Sequence, residues 1–348
     1  MGSSGVRASR VSPLAVAGWA GLAVLVVGAF LAALGSLNQT VYGASSFIER
    51  YLSAIANDDI ATASTTPGVA LDAAELEALG LPADVSTAML RTGVVESGPE
   101  DVRIMSDVAH EDGTHTVTAS YRLEDAIIES SFDVRPITPL YGVLNRWEFA
   151  VSPLAIVDVT AAHNPFFTVG TLTLDARATK TGDELAAFTQ VTPYLAIAPA
   201  VYEFSYNSVL LEAVPAKLQA DAAARVPVTV DAQPTAAFVE RVQFKVDGFL
   251  AACATQTVLQ PAKCPFGIEI DDRVVGDPVW SIVSLPQVTL TPGETSFDMP
   301  PTEGVAHISV EVQSLFDGHR FTLEEDRPFT LALSATIQPD EDIAIQLR

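Results

Sequence analysis

Basic residues are scarce in this chain, and their scarcity argues against several classes of function. The sequence contains 19 lysines and arginines against 43 aspartates and glutamates, which gives a formal net charge of −24. A surface of this sign repels nucleic acid and anionic lipid headgroups, so we predict neutral or basic partners and no nucleic acid. The sequence also lacks a glycine-rich phosphate loop, a Walker lysine and a dinucleotide fingerprint. We therefore expect no nucleotide cofactor.

Histidine is equally sparse, with five in the chain, and none belongs to a recognisable catalytic or metal-binding motif. Three lie beside Asp-Gly turns, one in a predicted linker and one on the exposed face of a predicted strand: His110, His115, His319, His163 and His307. The acidic clusters at 271–272 and 324–326 lack the ligand spacing of an EF-hand. We therefore predict no catalytic residue, no metal site and no cofactor, in a protein that is not an enzyme.

Cysteine is limited to two residues, Cys253 and Cys264. Outside the cytoplasm an isolated close pair is most simply a disulfide, which restricts the unfolded chain and adds about 3 kcal/mol of stability for a loop of this length. A metal site would need histidine or carboxylate ligands, and the loop between the cysteines contains neither. We predict a disulfide, with a free or metal-bound pair as the alternative.

The chain begins with a long uncharged run. Residues 13–37 contain no charged residue, and no charge recurs before Glu49. A helix over 14–35 is about 33 Å long, which matches a bilayer hydrocarbon core of roughly 30 Å. The pattern predicts a transmembrane anchor at 14–37. A cleaved signal sequence and a buried helix of a soluble protein are the alternatives.

Two arginines before this run, Arg7 and Arg10, predict its orientation. Positive charge favours the cytoplasmic side, which assigns residues 1–13 to a short cytoplasmic tail and residues 38–348 to the extracytoplasmic side. We therefore predict a single-pass protein of the cell membrane. Small residues in the run have the spacing of helices that approach closely, so homo-oligomerisation through the anchor is a further hypothesis. These residues are Ala17, Gly21, Gly28 and Ala32.

Residues 44–155 show helical patterns followed by a period-two pattern. Ser46 and Glu49 have capping-box spacing, and the apolar residues after them recur at helical period. The predicted helices begin at Ser46 and cover 73–79 and 83–92. Apolar residues then alternate on both sides of a turn at Asp112-Gly113. The predicted strands lie at 102–104, 117–123, 127–134 and 147–151. We expect one curved antiparallel sheet wrapped on the first helix.

The rest of the chain divides into two further predicted domains. Residues 156–233 contain short alternating segments broken by prolines, which is typical of a small β-rich domain. Residues 234–348 return to the first pattern, with a helix that starts at Pro234 and Thr235. The predicted buried positions of this helix are Phe238, Val242, Val246, Phe249 and Cys253. The predicted strands lie at 280–290, 305–315, 329–337 and 343–347.

Both helix and sheet segments resemble the nuclear-transport-factor-2-like (NTF2-like), or cystatin-like, α+β domain. The resemblance lies in FIERYLSAIANDD and AAFVERVQFKVDGFLAACATQ with the strands after each. The second segment also resembles exported domains of high-GC Gram-positive bacteria, in which a helix ends in Cys-Ala, here Cys253-Ala254, before CPFG, here 264–267. The layout is similar to the teicoplanin-resistance-associated membrane protein family of Gram-positive bacteria, although residues 1–13 lack that family's usual zinc ribbon. The resemblance implies non-catalytic work in the cell envelope.

These patterns predict an α+β protein with an N-terminal transmembrane helix and two NTF2-like domains, 44–155 and 234–348, separated by a small all-β domain. The leading hypothesis is a non-enzymatic envelope protein that binds another envelope protein or a cell-wall component. The alternative is small-molecule sensing or carriage in a concave pocket, and an enzyme is the third hypothesis. The aromatic residues predicted to line or fill the two concavities are Phe47, Tyr51, Tyr121, Phe132, Trp147 and Phe149, and then Phe238, Phe249, Trp280 and Phe329.

Overall fold

A computed structural model describes residues 13–348 except Asp183, Glu184, Ala186, Pro339 and Glu341. Of the first helix it describes the side chains of Trp19 and of residues from 21 onward. The fold is mixed α+β, as predicted, with mostly strands, few helices and a sheet curled as a half-barrel. The helices are α1 (Pro13–Thr40), α2 (Ala44–Ala56), α3 (Ile60–Ser64), α4 (Ala73–Ala78) and α5 (Ala236–Ala254).

Strands make up most of the remaining ordered backbone. The first nine are β1 (Glu100–Ala109), β2 (His115–Leu123), β3 (Ala126–Leu140), β4 (Leu144–Phe149), β5 (Ala155–Ala162), β6 (Phe166–Val169), β7 (Leu172–Asp175), β8 (Thr189–Ala196) and β9 (Ala200–Asn207). The second nine are β10 (Leu211–Ala220), β11 (Arg225–Asp231), β12 (Gln233–Pro234), β13 (Arg273–Val274), β14 (Val279–Ser284), β15 (Thr291–Pro292), β16 (Phe297–Gln313), β17 (Arg320–Ile337) and β18 (Ile343–Leu347).

The chain divides into two compact units. Unit 1 comprises Met1–Val157, Tyr194–Tyr202 and Gln219–Val226, and unit 2 comprises Asp158–Pro193, Glu203–Leu218 and Pro227–Arg348. The predicted middle domain, 156–233, therefore contributes residues to both units. Two NTF2-like domains with a third domain between them stay a prediction.

Helix α1 is the predicted apolar N-terminal helix. It is 28 residues long, and its described part from Gly21 to Thr40 is long and apolar enough to cross a membrane. Large apolar side chains along it are exposed, including Trp19, Leu25 and Phe30. Such a helix fits a membrane anchor and a signal sequence equally well. The predicted cytoplasmic tail, including Arg7 and Arg10, lies outside the described residues except for residue 13.

Helix α2 begins two residues before the predicted capping box. Its N-cap is Gly43, which makes no side-chain capping hydrogen bond. The Ser46 hydroxyl instead donates to the Thr40 carbonyl at the end of α1. The prediction of a cap at Ser46 is wrong because the end of α1 offers that hydroxyl a nearby acceptor. A capping box occurs at α4, where Asp72 and Glu75 bond each other's backbone amides.

The predicted helix over 83–92 is absent. The segment forms turns, and Ser86 makes an isolated bridge with Tyr194, also in unit 1. Pro82 and Gly93 bound the segment, and so short a helix gains little from its own hydrogen bonds. Pairing with a distant strand residue therefore prevails over the local helical pattern.

Unit 1 contains an antiparallel sheet in the order β1-β2-β3-β4. Residues alternate in burial along β2, so that Val117, Ala119, Tyr121 and Leu123 point into the core against α2. Strand β3 continues beyond the predicted end at 134 and reaches Leu140. This extension pairs with β4 alone, which makes the β3–β4 hairpin longer than the sequence pattern indicates.

Unit 2 contains α5 and a sheet built on one long hairpin. The hairpin consists of β16, with 17 residues, and β17, with 18, and the sheet order is β13-β16-β17-β18 with β14 and β15 also paired to β16. Helix α5 starts at the predicted place because the Thr235 hydroxyl caps the Phe238 amide. Its buried face includes Leu250, whereas the predicted Phe249 is only partly buried. The predicted strand at 280–290 ends at Ser284.

Two further sheets involve the segments between β4 and α5. One has the order β12-β10-β9-β6-β7 and the other has the order β11-β5-β8. The prediction of strands in this part of the chain is confirmed, but the prediction that Pro193 and Pro215 break them is wrong. Strands β8 and β10 continue through these two prolines.

Candidate functional site

The end of α1 is bonded directly to the β3–β4 hairpin of unit 1. The Asn38 side-chain amide donates to the Val143 carbonyl at 2.8 Å, and its oxygen accepts from the Asn145 backbone amide at 3.0 Å. One side chain thus satisfies a donor and an acceptor of the hairpin backbone. Beyond it, the Trp147 indole Nε1 donates to the Tyr42 carbonyl at 2.8 Å. We call these five residues the helix–hairpin junction.

The connection between α1 and α2 is short and hydrogen-bonded, unlike a flexible linker. Only three residues separate Thr40, the last residue of α1, from Ala44, the first residue of α2. The amides of Val41 and Tyr42 both donate to the Leu37 carbonyl, so the turn continues the hydrogen bonding of the helix. The sequence analysis missed this role for Asn38. Its one visible signal is a polar residue at the end of a long apolar run.

Replacing Asn38 with alanine should loosen the tip of the hairpin. Loss of a partially exposed hydrogen bond costs about 0.5 to 1.5 kcal/mol, which corresponds to roughly two- to tenfold faster exchange of the Asn145 amide hydrogen. Hydrogen exchange on the full chain in detergent micelles measures this. The control is Gln39→Ala, because Gln39 is an exposed neighbour on the same helix that makes none of the junction bonds. Equal exchange rates in both variants would show that Asn38 does not hold the tip of the hairpin.

The predicted aromatic residues of the first concavity fill it as core. The Phe149 ring lies 5.1 Å from Phe47, 5.0 Å from Tyr51 and 6.2 Å from Phe132, measured between ring centroids. All four are buried, as is Tyr121, whose hydroxyl bonds Ser130. Rings in tilted and edge-on contact at these distances exclude a ligand from the space that they occupy. The α2-covered face of this sheet is therefore packed.

Two buried tyrosines of unit 1 act as hydrogen-bond donors. Tyr51 donates to the Ala198 carbonyl at 2.6 Å, and Tyr202 donates to the Ile197 carbonyl at 2.5 Å. Burial raises the pKa of both phenols, and for Tyr51 the nearby Tyr202 adds to the shift. Both hydroxyl groups therefore keep their protons at any physiological pH. The Tyr51 bond joins α2 to the segment at 194–202, the Tyr202 bond lies within that segment, and both hydroxyl groups are unsuited to proton transfer.

The predicted disulfide between Cys253 and Cys264 is present. It links the last turn of α5 to a loop that covers the sheet of unit 2. Phe266, just after the loop, packs on Trp280 at 5.0 Å and on Phe329 at 5.5 Å between ring centroids. The Trp280 indole Nε1 donates to the Val258 carbonyl within the loop at 2.8 Å. Trp280 and Phe329, which are predicted to line or fill the second concavity, are thus buried under the disulfide loop.

The ring of Phe329 also lies over a glycine on the neighbouring strand. Gly304 pairs with Phe329 across the β16–β17 hairpin, and a Cβ at Gly304 would meet the ring at 2.4 Å. A glycine is therefore required for the ring to reach the core side of the sheet at this position. Phe238 of α5 meets Phe297 of β16 at 5.3 Å and fills the same layer. Side-chain packing accounts for the predicted aromatic residues of unit 2.

A groove of about 660 Å³ remains beside the disulfide loop in unit 2. It is lined by residues 260–262 and 264–269 together with Arg327, whose guanidinium pairs with Glu325 at 2.7 Å. Its volume lies within the range of small-molecule sites. A second groove of about 370 Å³ runs along α5 beside Phe244 and Lys245. Neither groove is lined by the four aromatic residues of unit 2 named for the alternative hypothesis of a concave pocket.

Most of the histidines are engaged by neighbouring polar side chains. The Nδ1 atoms of three of them lie 2.6 to 2.7 Å from aspartate oxygens, in the pairs His115 with Asp107, His163 with Asp231 and His307 with Asp326. His110 bonds the Thr116 hydroxyl at 2.9 Å, and His319 stacks on Phe321. Within the described ranges, no three histidine, cysteine or acidic residues are placed to hold a metal ion.

One histidine pair also includes a serine, but its geometry differs from a catalytic triad. The Ser45 hydroxyl donates to Asp107 Oδ2 at 2.7 Å, while His115 Nδ1 lies 2.6 Å from Asp107 Oδ1. In a triad the serine donates to the histidine. Partial burial raises the pKa of Asp107, but the hydrogen bonds from His115 and Ser45 outweigh it and lower the pKa overall. The carboxylate therefore joins α2, β1 and β2 and does not activate the hydroxyl.

Comparison with protein-family models, with curated proteins and with solved structures finds no match to this chain. The resemblance to the teicoplanin-resistance-associated family and to NTF2-like domains therefore stays a prediction.

Proposed function

We propose that this chain is a non-enzymatic, single-pass protein of the cell envelope whose extracytoplasmic body binds another envelope protein or a cell-wall component. The observation that carries the proposal is α1, an uncharged helix with exposed apolar side chains, joined to a folded unit by the helix–hairpin junction. Apolar side chains on a membrane-length helix are stable in lipid and unfavourable in water. A helix bonded to the unit it precedes also favours a retained anchor over a removed signal sequence.

Two further features support an extracytoplasmic body. The disulfide between Cys253 and Cys264 is typical of an oxidising compartment. The two arginines before α1 favour a cytoplasmic N-terminus under the positive-inside tendency. The resemblance to NTF2-like domains and to a family of envelope proteins points in the same direction. Packed cores and histidines held by aspartates favour binding through a surface over catalysis.

Protease treatment of intact bacterial cells that express the full chain tests the topology. We expect external protease to digest the body, and a thiol reagent to label Cys253 and Cys264 only after reduction. Intact mass should include residues 1–37, because a retained anchor is not cleaved. Digestion only after lysis, labelling without reductant or a mass that lacks the first 37 residues would each contradict the proposal.

The anchor is tested with charges on α1. The double variant Val24→Arg, Val27→Arg places two arginines near the helix centre, which costs about 5 to 7 kcal/mol of insertion free energy on the scale for single residues. We expect this variant to leave the membrane fraction. The control Val24→Leu, Val27→Leu keeps the same positions apolar and should remain in the membrane. Retention of the arginine variant would indicate that α1 does not anchor the chain.

Partner binding is tested separately from topology. Crosslinking in intact cells followed by capture of the full chain should recover a defined envelope protein, or the chain should sediment with purified cell wall. Recovery of neither would contradict the binding part of the proposal while leaving the anchor intact.

A second candidate function is the carriage of a small molecule, which the groove of about 660 Å³ beside the disulfide loop favours. Native mass spectrometry of the purified chain tests this function. We expect an additional mass from a bound small molecule, and we expect this mass to be absent from the Arg327→Ala variant. Arg320→Ala is the matched control, because Arg320 lies on the same strand outside the groove.

A further inference from the structure

The β3–β4 hairpin extends well past the rest of its sheet. The last pair between β2 and β3 joins His115 to Val134, and β3 then continues for six residues to Leu140. The neighbouring β1–β2 turn ends near Pro136, since a Cβ at Gly113 would contact the Pro136 side chain at 3.8 Å. At a rise of about 3.3 Å per residue, the tip projects roughly 13 Å beyond that turn. We call residues 135–146 the β3–β4 arm.

The helix–hairpin junction shows which way the arm points. Trp147 bonds the carbonyl of Tyr42, whereas Asn145 and Val143 bond Asn38. Moving along β4 toward the tip therefore corresponds to moving back along α1 toward its apolar run. The turn residues beyond Val143 lie still further in that direction. The arm thus points toward the apolar part of α1.

The tip of the arm exposes apolar side chains. Leu140 is 39 % exposed, Tyr141 85 % and Val143 48 %, and Leu37 and Val41 at the end of α1 are 42 % and 49 % exposed. Tyr141 has a φ of +53°, in the left-handed region that residues other than glycine seldom adopt. The turn thus holds an aromatic side chain outward at a conformational cost. Tyrosine is a residue that membrane–water interfaces favour, because its ring is apolar and its hydroxyl is polar.

The arm also contains no acidic residue. No aspartate or glutamate occurs at 134–147 or at 1–48, although the chain has 43. The charged residues of the arm are Arg135, which pairs with Glu148 at 2.6 Å, and Arg146, which is exposed. The acids of the β1–β2 turn, Glu111 and Asp112, lie about 13 Å behind the tip by the same strand rise. A positive or neutral apolar tip suits a phospholipid surface.

From these observations we infer that the tip of the β3–β4 arm is a second membrane contact of unit 1. Leu140, Tyr141 and Val143 insert at the boundary between headgroups and acyl chains, beside the point where α1 leaves the bilayer. The inference rests on the proposed anchoring by α1, because the arm is placed by its bonds to that helix. Two contacts, one helix and one inserted tip, restrict how far unit 1 tilts over the membrane.

A fluorescent probe on the tip tests the contact in the full chain. Because the described cysteines are both in the disulfide, Val143→Cys introduces a single reactive thiol for an environment-sensitive label. The chain is placed in nanodiscs of phosphatidylcholine that contain a lipid with a quencher near the headgroup. The control is Ile127→Cys, which is also an exposed apolar position but lies at the opposite end of β3. We expect quenching at Val143 at least about twofold greater than at Ile127, as for a side chain in the interface.

A third probe separates this inference from the proposed anchor. Val24→Cys reports on α1 and should be quenched by a lipid that carries its quencher deep in the acyl chains. Quenching at Val24 without quenching at Val143 would overturn the arm contact alone, whereas quenching at neither would overturn the anchor.

Tyr141→Asp should reduce quenching at Val143 at least about twofold, because an ionised carboxylate is costly to insert. Quenching at Val143 that appears only after phosphatidylglycerol is added would contradict insertion of the apolar tip.

Discussion

Replacing Gly68 with alanine should lower the free energy of unfolding of unit 1 by more than a methyl group added at almost any other position. Gly68 has a φ of +79°, and a Cβ there would lie 2.5 Å from both the backbone nitrogen and oxygen of Phe149. The conformation alone costs about 1 to 2 kcal/mol for a residue with a Cβ. Displacing a packed backbone adds about 1 to 3 kcal/mol. Denaturant unfolding monitored by near-ultraviolet circular dichroism measures the sum.

A matched variant separates the two contributions. Gly80 has a φ of +66°, but a Cβ there would have no heavy atom within 4 Å. Gly80→Ala should therefore cost only the conformational part, about 1 to 2 kcal/mol. Equal losses in the two variants would show that contact with Phe149 is unimportant. The comparison also tests the packing of the loop after α3 on β4, because the Phe149 amide donates to the Pro67 carbonyl at 3.0 Å.

Removing the disulfide should destabilise unit 2 by about 3 kcal/mol, because the cross-link closes a loop with a sequence separation of 11. The double variant Cys253→Ser, Cys264→Ser removes it. The loop should then release Phe266 from Trp280 and free the Trp280 indole from the Val258 carbonyl. We expect a lower unfolding midpoint together with a red shift in tryptophan emission.

The reductant supplies the internal control for this experiment. Reducing the native chain should reproduce the unfolding midpoint of the double variant, while the double variant itself should not respond to reductant. A native chain that keeps its midpoint after complete reduction would show that the loop is held by its side chains alone. A further decrease in the unfolding midpoint when the double variant is reduced would indicate an effect unrelated to these cysteines.

The sequence predicts the parts of the fold that local chemistry controls. The start of α5 follows from Thr235, whose hydroxyl caps the helix, and β18 follows from five alternating residues and matches the predicted 343–347. The disulfide follows from two isolated cysteines that lie close together in the sequence. The residues that determine α5 and β18 lie within or next to each element. The disulfide could be predicted because the chain has two cysteines and therefore one possible intramolecular pair.

The remaining features depend on partners that are distant in sequence. Ser46 has the pattern of a cap, but its hydroxyl bonds the end of α1, and the segment at 83–92 pairs with Tyr194 and is not helical. Leu250 takes the buried position predicted for Phe249, since three- and four-residue steps along a helix are both compatible with burial. Asn38 is visible in the sequence only as a polar residue at the end of an apolar run, which does not indicate its two bonds to a hairpin more than a hundred residues away.

The three-residue connection between α1 and α2 limits how far from the lipid a partner can bind unit 1. Three extended residues span about 10 Å at most, so in the proposed envelope setting unit 1 cannot drift away from the lipid. A molecule that binds this unit therefore meets it within one domain's length of the bilayer. A partner that stays further from the lipid than that would be out of its reach.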